Sequence, residues 1–117
     1  MKKGEEIYLE HMRDALIRII EYTRRTKGDF LSDHMVQDAT IRQYEILGEA
    51  AKRVSEKTRQ SHPSIPWRKI AGMRDKSIHD YMGVNIVLYW ETARTQVPSV
   101  LRGINAILAK GEMSHEH

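Results

Sequence analysis

The 117-residue chain contains no cysteine, which excludes disulfide frameworks, thiolate metal sites and cysteine nucleophiles at once. Proline is scarce, with three residues, and aromatic residues make up 7%, so neither an extended proline-rich segment nor an aromatic-rich binding face is expected. No apolar run approaches the roughly 20 residues that span a bilayer. The N-terminus, Met1-Lys2-Lys3-Gly4-Glu5-Glu6, turns acidic instead of entering an apolar stretch, which is not the pattern of a secretory signal. No alternation of polar and apolar residues marks a strand, and there is no internal repeat. These absences lead to the expectation of one small, soluble, cytoplasmic domain that does not use a membrane.

Charge is present and unevenly placed. Lys52, Arg53, Lys57, Arg59, Arg68, Lys69, Arg74 and Lys76 face only Glu56 and Asp75 in the same stretch, so that block carries +6 and the remainder −3 of the net +3. A basic block in an otherwise slightly acidic chain is what attracts a polyanion, because Lys and Arg contacts to phosphate dominate nucleic-acid affinity. Solvated helix faces balanced in space by acids from elsewhere fit the same count.

Apolar residues recur at helical spacing through most of the chain. Tyr8, Met12, Ala15, Leu16, Ile19 and Ile20 predict an amphipathic helix from Glu5 to about Lys27, ended by Gly28 as a left-handed cap. Ser32 or Asp33 can cap a second helix with the stripe Val36, Thr40, Tyr44, Leu47, Ala51 and Val54, fading near Thr58. Pro63 and Pro66 make Ser61 to Trp67 a loop, with Pro66 placed to start a third helix. That helix is expected to be brief and broken, since Gly72 and Gly83 bracket Met73 to Met82. A last run, about Val84 to Ala109, carries Val87, Leu88, Ala93, Val97, Val100, Leu101, Ile104, Ile107 and Leu108, with Pro98 kinking or dividing it. The fold class expected is all-α, an up-and-down bundle of four to five helices over residues 5–110, followed by a polar, frayed tail at 111–117. Tyr22, Tyr44, Trp67, Tyr89 and Trp90 read as packing residues.

The informative run is Arg74-Asp75-Lys76-Ser77-Ile78-His79-Asp80-Tyr81. Chance alone yields about 0.6 Arg-x4-His pairs in a chain of this composition, but only roughly 0.02 with Tyr two places later, so the triple is uncommon where the pair is not. Five residues of regular helix leave Arg74 and His79 about 140° apart, and His79 and Tyr81 about 200° apart. Either the segment is irregular between its glycines, or a working site draws its Arg and His from two subunits meeting at a two-fold axis.

This Arg-x4-His-x-Tyr pattern resembles the signature of HEPN domains of the HepT-like type, toxins paired with minimal nucleotidyltransferase antitoxins. The likeness extends over Val36-Gln37-Asp38-Ala39-Thr40-Ile41-Arg42, Glu45-Ile46-Leu47-Gly48-Glu49-Ala50-Ala51-Lys52 and Ile65-Pro66-Trp67-Arg68-Lys69-Ile70-Ala71-Gly72-Met73-Arg74, and so covers about residues 5 to 110. The resemblance implies a homodimeric, metal-independent endoribonuclease, the toxin of a type II or type VII-like toxin–antitoxin system, with no cofactor of its own. Arg74 and His79 would be the catalytic residues. Histidine is suited to move protons near neutrality, and the planar arginine fork is suited to hold phosphate. Arg68, Lys69 and Lys76 are candidate contacts to RNA phosphates. Asp75 stands where the family usually has a polar residue, often Asn, and a carboxylate there would lower activity or raise the proton affinity of His79. Tyr81 would be AMPylated by the nucleotidyltransferase partner, which would use ATP and Mg2+, and the added phosphate would compete with RNA for Arg74. An alternative of another class is a catalytically silent HEPN subunit that docks and regulates a nucleotidyltransferase. A plain helical adaptor for acidic proteins is a third.

Elsewhere the blander readings stand beside these. Without the resemblance, His79 reads as a histidine satisfied at a helix end and Arg74 as a partner of Asp75 or Asp80. His11 and His34 read as surface residues, and His62 as a loop residue without a partner. Glu112, His115, Glu116 and His117 form no preorganised metal site. Asp14, Glu45 and Glu49 read as solvated carboxylates.

Overall fold

Helix α1 (Lys3–Thr23) starts with Glu5 and Glu6 in its first turn, where carboxylates oppose the positive end of the helix dipole. One face, Leu9, Met12, Ala15, Leu16 and Ile19, is buried completely or nearly so. The computed structural model describes the backbone of residues 3–79 and 86–115 and the side chains of 4–73 and 86–111. Among the described residues there are five longer helices and two short ones, with no strands, which is the all-α bundle expected.

The end of α1 departs from expectation. The Thr23 hydroxyl donates to the Ile19 carbonyl at 2.7 Å, and the helix stops there rather than near Lys27. Gly28 is no left-handed cap, because no described glycine has a positive φ. It lies inside a short α2 (Lys27–Leu31), where the Thr26 side chain accepts from the Asp29 N–H. Thr26 is thus the N-cap that satisfies an orphan donor of the first turn. Phe30, fully buried, anchors this turn.

Asp33 caps α3 (His34–Arg53) through the Val36 N–H. Thr40, Tyr44, Leu47 and Ala51 of α3, and Val54 at its C-cap, are buried as the stripe predicts. Ser55 restarts the chain as α4 (Glu56–Ser61), its side chain accepting from the Thr58 N–H, so the chain does not simply fade near Thr58. The Ser55 N–H itself donates to Glu5 at 2.6 Å and ties the start of α1 to this junction. Burial alone would push the Glu5 carboxyl up, but the bonds from Ser55 and Thr58 outweigh it and hold the group below its ordinary value.

Helix α5 runs unbroken as Trp67–His79. The expected break at Gly72 is absent, and Gly83 lies outside the described residues. Pro66 stands one residue ahead of the helix, its carbonyl accepting from Ile70 at 3.0 Å. The last run is divided into α6 (Ile86–Thr95) and α7 (Val97–His115). The division falls at Gln96, and Pro98 sits in the first turn of α7, where its missing N–H breaks no helical bond. Where a polar tail is expected from Gly111, α7 continues to His115.

Helix α1 packs chiefly on α3 and α7, and α5 packs on α3. Tyr44 links α3 to α6, its hydroxyl donating to the Tyr89 carbonyl at 2.9 Å with the rings 5.0 Å apart. Burial pushes the Tyr44 phenol far up, so it serves as a fixed donor. No helix among the described residues is long and apolar enough to cross a membrane.

Candidate functional site

Helix α5 carries most of the sequence-derived candidates, and its N-terminal half is held firmly. Ile65, Trp67, Ile70 and Met73 are buried against the core. The Trp67 indole N–H donates to the His62 carbonyl at 2.9 Å, closing the proline loop onto the helix. His62 is therefore engaged through its backbone, which also donates to Arg59.

The buried side of α5 fixes which residues face outward. At about 100° per residue, Arg68, Lys69 and Gly72 fall on one side, and all three are exposed. The same register continues through Asp75, Lys76 and His79. Arg74 falls at the register of Trp67 and Ile70, about 140° from His79. The helix is continuous from Trp67 to His79, so Arg74 and His79 lie on one regular stretch, while residues 80–85, which complete the span between the glycines, lie outside the described residues. The side chains of Arg74, Asp75, Lys76 and His79 lie outside the described residues, as does all of Tyr81.

Lys69 is not free in the isolated chain. Its Nζ donates to Gln96 Oε1 at 2.7 Å, which connects α5 to the division between α6 and α7. Among the described residues Arg68 makes no such contact, and it stands at the edge of an open groove between α4 and α5, lined also by Glu56, Arg59, Gln60, Pro63 and Trp67. Sequence reasoning counted Arg59 in the basic block without giving it a role.

The remaining candidates are acids paired with arginine, exposed histidines and packing aromatics. Glu45 accepts from Arg42 at 3.3 Å, Glu49 from Arg53 at 3.5 Å and Asp14 from Arg13 at 3.2 Å, so each of these acids has a cation beside it. His11 is exposed with its ring edge-on to Tyr8, and His34 is exposed as well. Tyr44, Trp67 and Tyr89 are buried. Trp90 is half-buried, donating to the Arg25 carbonyl at 3.2 Å beneath the Arg94 guanidinium. Among the described residues no group of three or more His, Asp or Glu side chains is arranged to hold a metal ion.

Comparison with known proteins gives a consistent result. The family model described as ribonuclease HepT-like matches residues 12–107. A protein named a probable ribonuclease HepT, from Thermococcus cleftensis, is 44% identical over 86% of this chain and 92% of its own length. A candidate RNase of Caldanaerobacter subterraneus subsp. tengcongensis is 41% identical over 88% of this chain and 93% of its own length. A Methanocaldococcus jannaschii protein, named as both a gamma-glutamylcyclotransferase and a candidate RNase, is 38% identical over 92% of this chain but 49% of its own length. No solved structure matches.

Proposed function

Because the chain belongs to the HepT-like ribonuclease family, we propose that it is the RNA-cutting toxin of a toxin–antitoxin pair, acting as a metal-independent homodimer. The observation that carries the dimer is the unbroken α5. It keeps Arg74 and His79 on different sides of one helix, so a site needing both is best built from two copies.

In this reading His79 of one subunit takes the proton of a ribose 2′-hydroxyl, whose oxygen attacks the adjacent phosphorus in line. The phosphorus–O5′ bond breaks, and His79 of the other subunit protonates the leaving 5′-oxygen. The products are a 2′,3′-cyclic phosphate and a 5′-hydroxyl. Arg74 holds the phosphate and stabilises charge in the pentacoordinate state. DNA lacks the 2′-hydroxyl and is spared. Arg68, Lys69 and Lys76 add contacts along the strand, with Lys69 exchanging Gln96 for phosphate. Asp75, beside the arginine, moderates the rate. A nucleotidyltransferase partner using ATP and Mg2+ silences the enzyme by attaching AMP to Tyr81, adding negative charge and bulk beside Arg74.

Purified protein incubated with single-stranded RNA in EDTA is expected to cut it and leave cyclic-phosphate ends. Removing one general acid–base group costs about 10²- to 10⁴-fold, so His79→Ala should lose cutting by at least that range, and Arg74→Ala should lose it comparably. Equal cutting by wild type and both variants would show a contaminant and sink the assignment. With partner and ATP, the mass should rise in steps of one AMP, and a Tyr81→Phe protein still modified and silenced would refute the role given to Tyr81.

A further inference from the structure

The groove between α4 and the start of α5 has a volume of about 330 Å³ and two arginines, Arg59 and Arg68, on its walls. Neither has a carboxylate partner among the described residues. The Nε of Arg59 is shut off from solvent with no hydrogen-bond acceptor. That N–H is closed to water and so to a phosphate oxygen as well, and the groove is offered the guanidinium's terminal NH2 groups instead. The acid at hand, Glu56, accepts instead from Gln60 at 3.3 Å. Trp67 forms a fixed floor, 7% exposed and bonded to the His62 carbonyl. Two planar donors above a rigid floor suit phosphate oxygens, which guanidinium forks bind in pairs.

The groove opens at Arg68, the first residue of the outward side of α5. Lys69 and Gly72 continue that side, and the backbone register carries it through Lys76 to His79. At 1.5 Å per residue the distance from Arg68 to His79 along the axis is about 16 Å. A strand with stacked bases advances about 3.4 Å along its axis per nucleotide, so that length takes about five nucleotides of a stacked strand.

We propose that the α4–α5 groove is a remote phosphate anchor for the RNA strand, with Arg59 and Arg68 gripping it about five nucleotides from the bond cut at His79. The strand then lies along the outward side of α5. The five-nucleotide register rests on the nuclease reading of His79; the anchor itself rests on the groove.

The test measures binding of labelled single-stranded RNAs of ten and four nucleotides to His79→Ala protein, by fluorescence anisotropy over a range of salt concentrations. The double substitution Arg59→Gln, Arg68→Gln is added to that background. On the ten-nucleotide RNA it should weaken binding at least tenfold at low salt. It should also flatten the slope of log K against log salt by about 1.4, since each phosphate contact with a single strand contributes about 0.7. The four-nucleotide RNA, too short in a stacked strand to hold the groove and the His79 end at once, should bind more weakly than the ten-nucleotide RNA when both arginines are present, and the double substitution should shrink that difference. Arg59→Lys, Arg68→Lys keeps the charge and should restore most of the slope, and matching melting curves separate lost contact from lost fold. Unchanged affinity and slope on the ten-nucleotide RNA would overturn the anchor, even in a protein whose wild type cuts RNA. Weakened binding in a protein whose wild type cuts nothing would overturn the nuclease reading and leave the anchor standing.

Discussion

Gly72 has open space where a Cβ would stand and lies inside a continuous helix. A residue that merely tolerates helix there should be improved by one that favours it. Gly72→Ala is expected to stabilise the protein by about 0.5–1 kcal/mol, seen as a rise of about 2 to 5 °C in Tm. A fall in Tm would mean that the residue bends the chain after all. The same residue shows where the reading of the site from sequence stops. The spacing of Arg74, His79 and Tyr81 singled out the segment, but glycine's weak helix propensity suggested a break that packing of Trp67, Ile70 and Met73 overrides. Arg59 was hidden for a different reason. A count of charges does not say which cations find acids, and only the fold shows that Arg13, Arg25, Arg42 and Arg53 are paired while Arg59 and Arg68 are not.

Helices long enough to repeat their apolar stripe several times were legible, as α1, α3 and α7 show. The short α2 and α4 were not, because five or six residues cannot display a period; their existence is decided by the caps Thr26 and Ser55. The division before α7 was legible from Pro98, although the turn falls at Gln96. A close approach between elements leaves no periodic mark either. Gly103 on α7 is such a case, since a Cβ there would lie 3.0 Å from Ile65 Cγ1. Ile65 belongs to the loop that delivers the chain into α5. Gly103→Leu should therefore overpack this contact and cost about 1–3 kcal/mol, measured by urea denaturation. No loss of stability would show that the loop yields easily and does not fix the start of α5.

Across the whole molecule, one carboxylate joins the first helix to the α3–α4 junction. Glu5 sits below its ordinary value of 4.5 in the folded protein, so it binds its proton less readily there than in the unfolded chain. Its contribution is present above pH 4.5 and disappears as pH falls through the lower folded value. Glu5→Gln is expected to lower stability at pH 7 and to flatten the acid side of the stability profile in that window, followed by thermal melts from pH 7 to pH 3. An unchanged profile would show that the link to Ser55 carries no net stabilisation.

The packing of α1 between α3 and α7 also sets an order in time. During synthesis α1 leaves the ribosome first, and one wall of its apolar face, built from Ile104, Ile107 and Leu108, does not exist until α7 has been made. Helix α5 emerges well before that wall, onto a core that is still open.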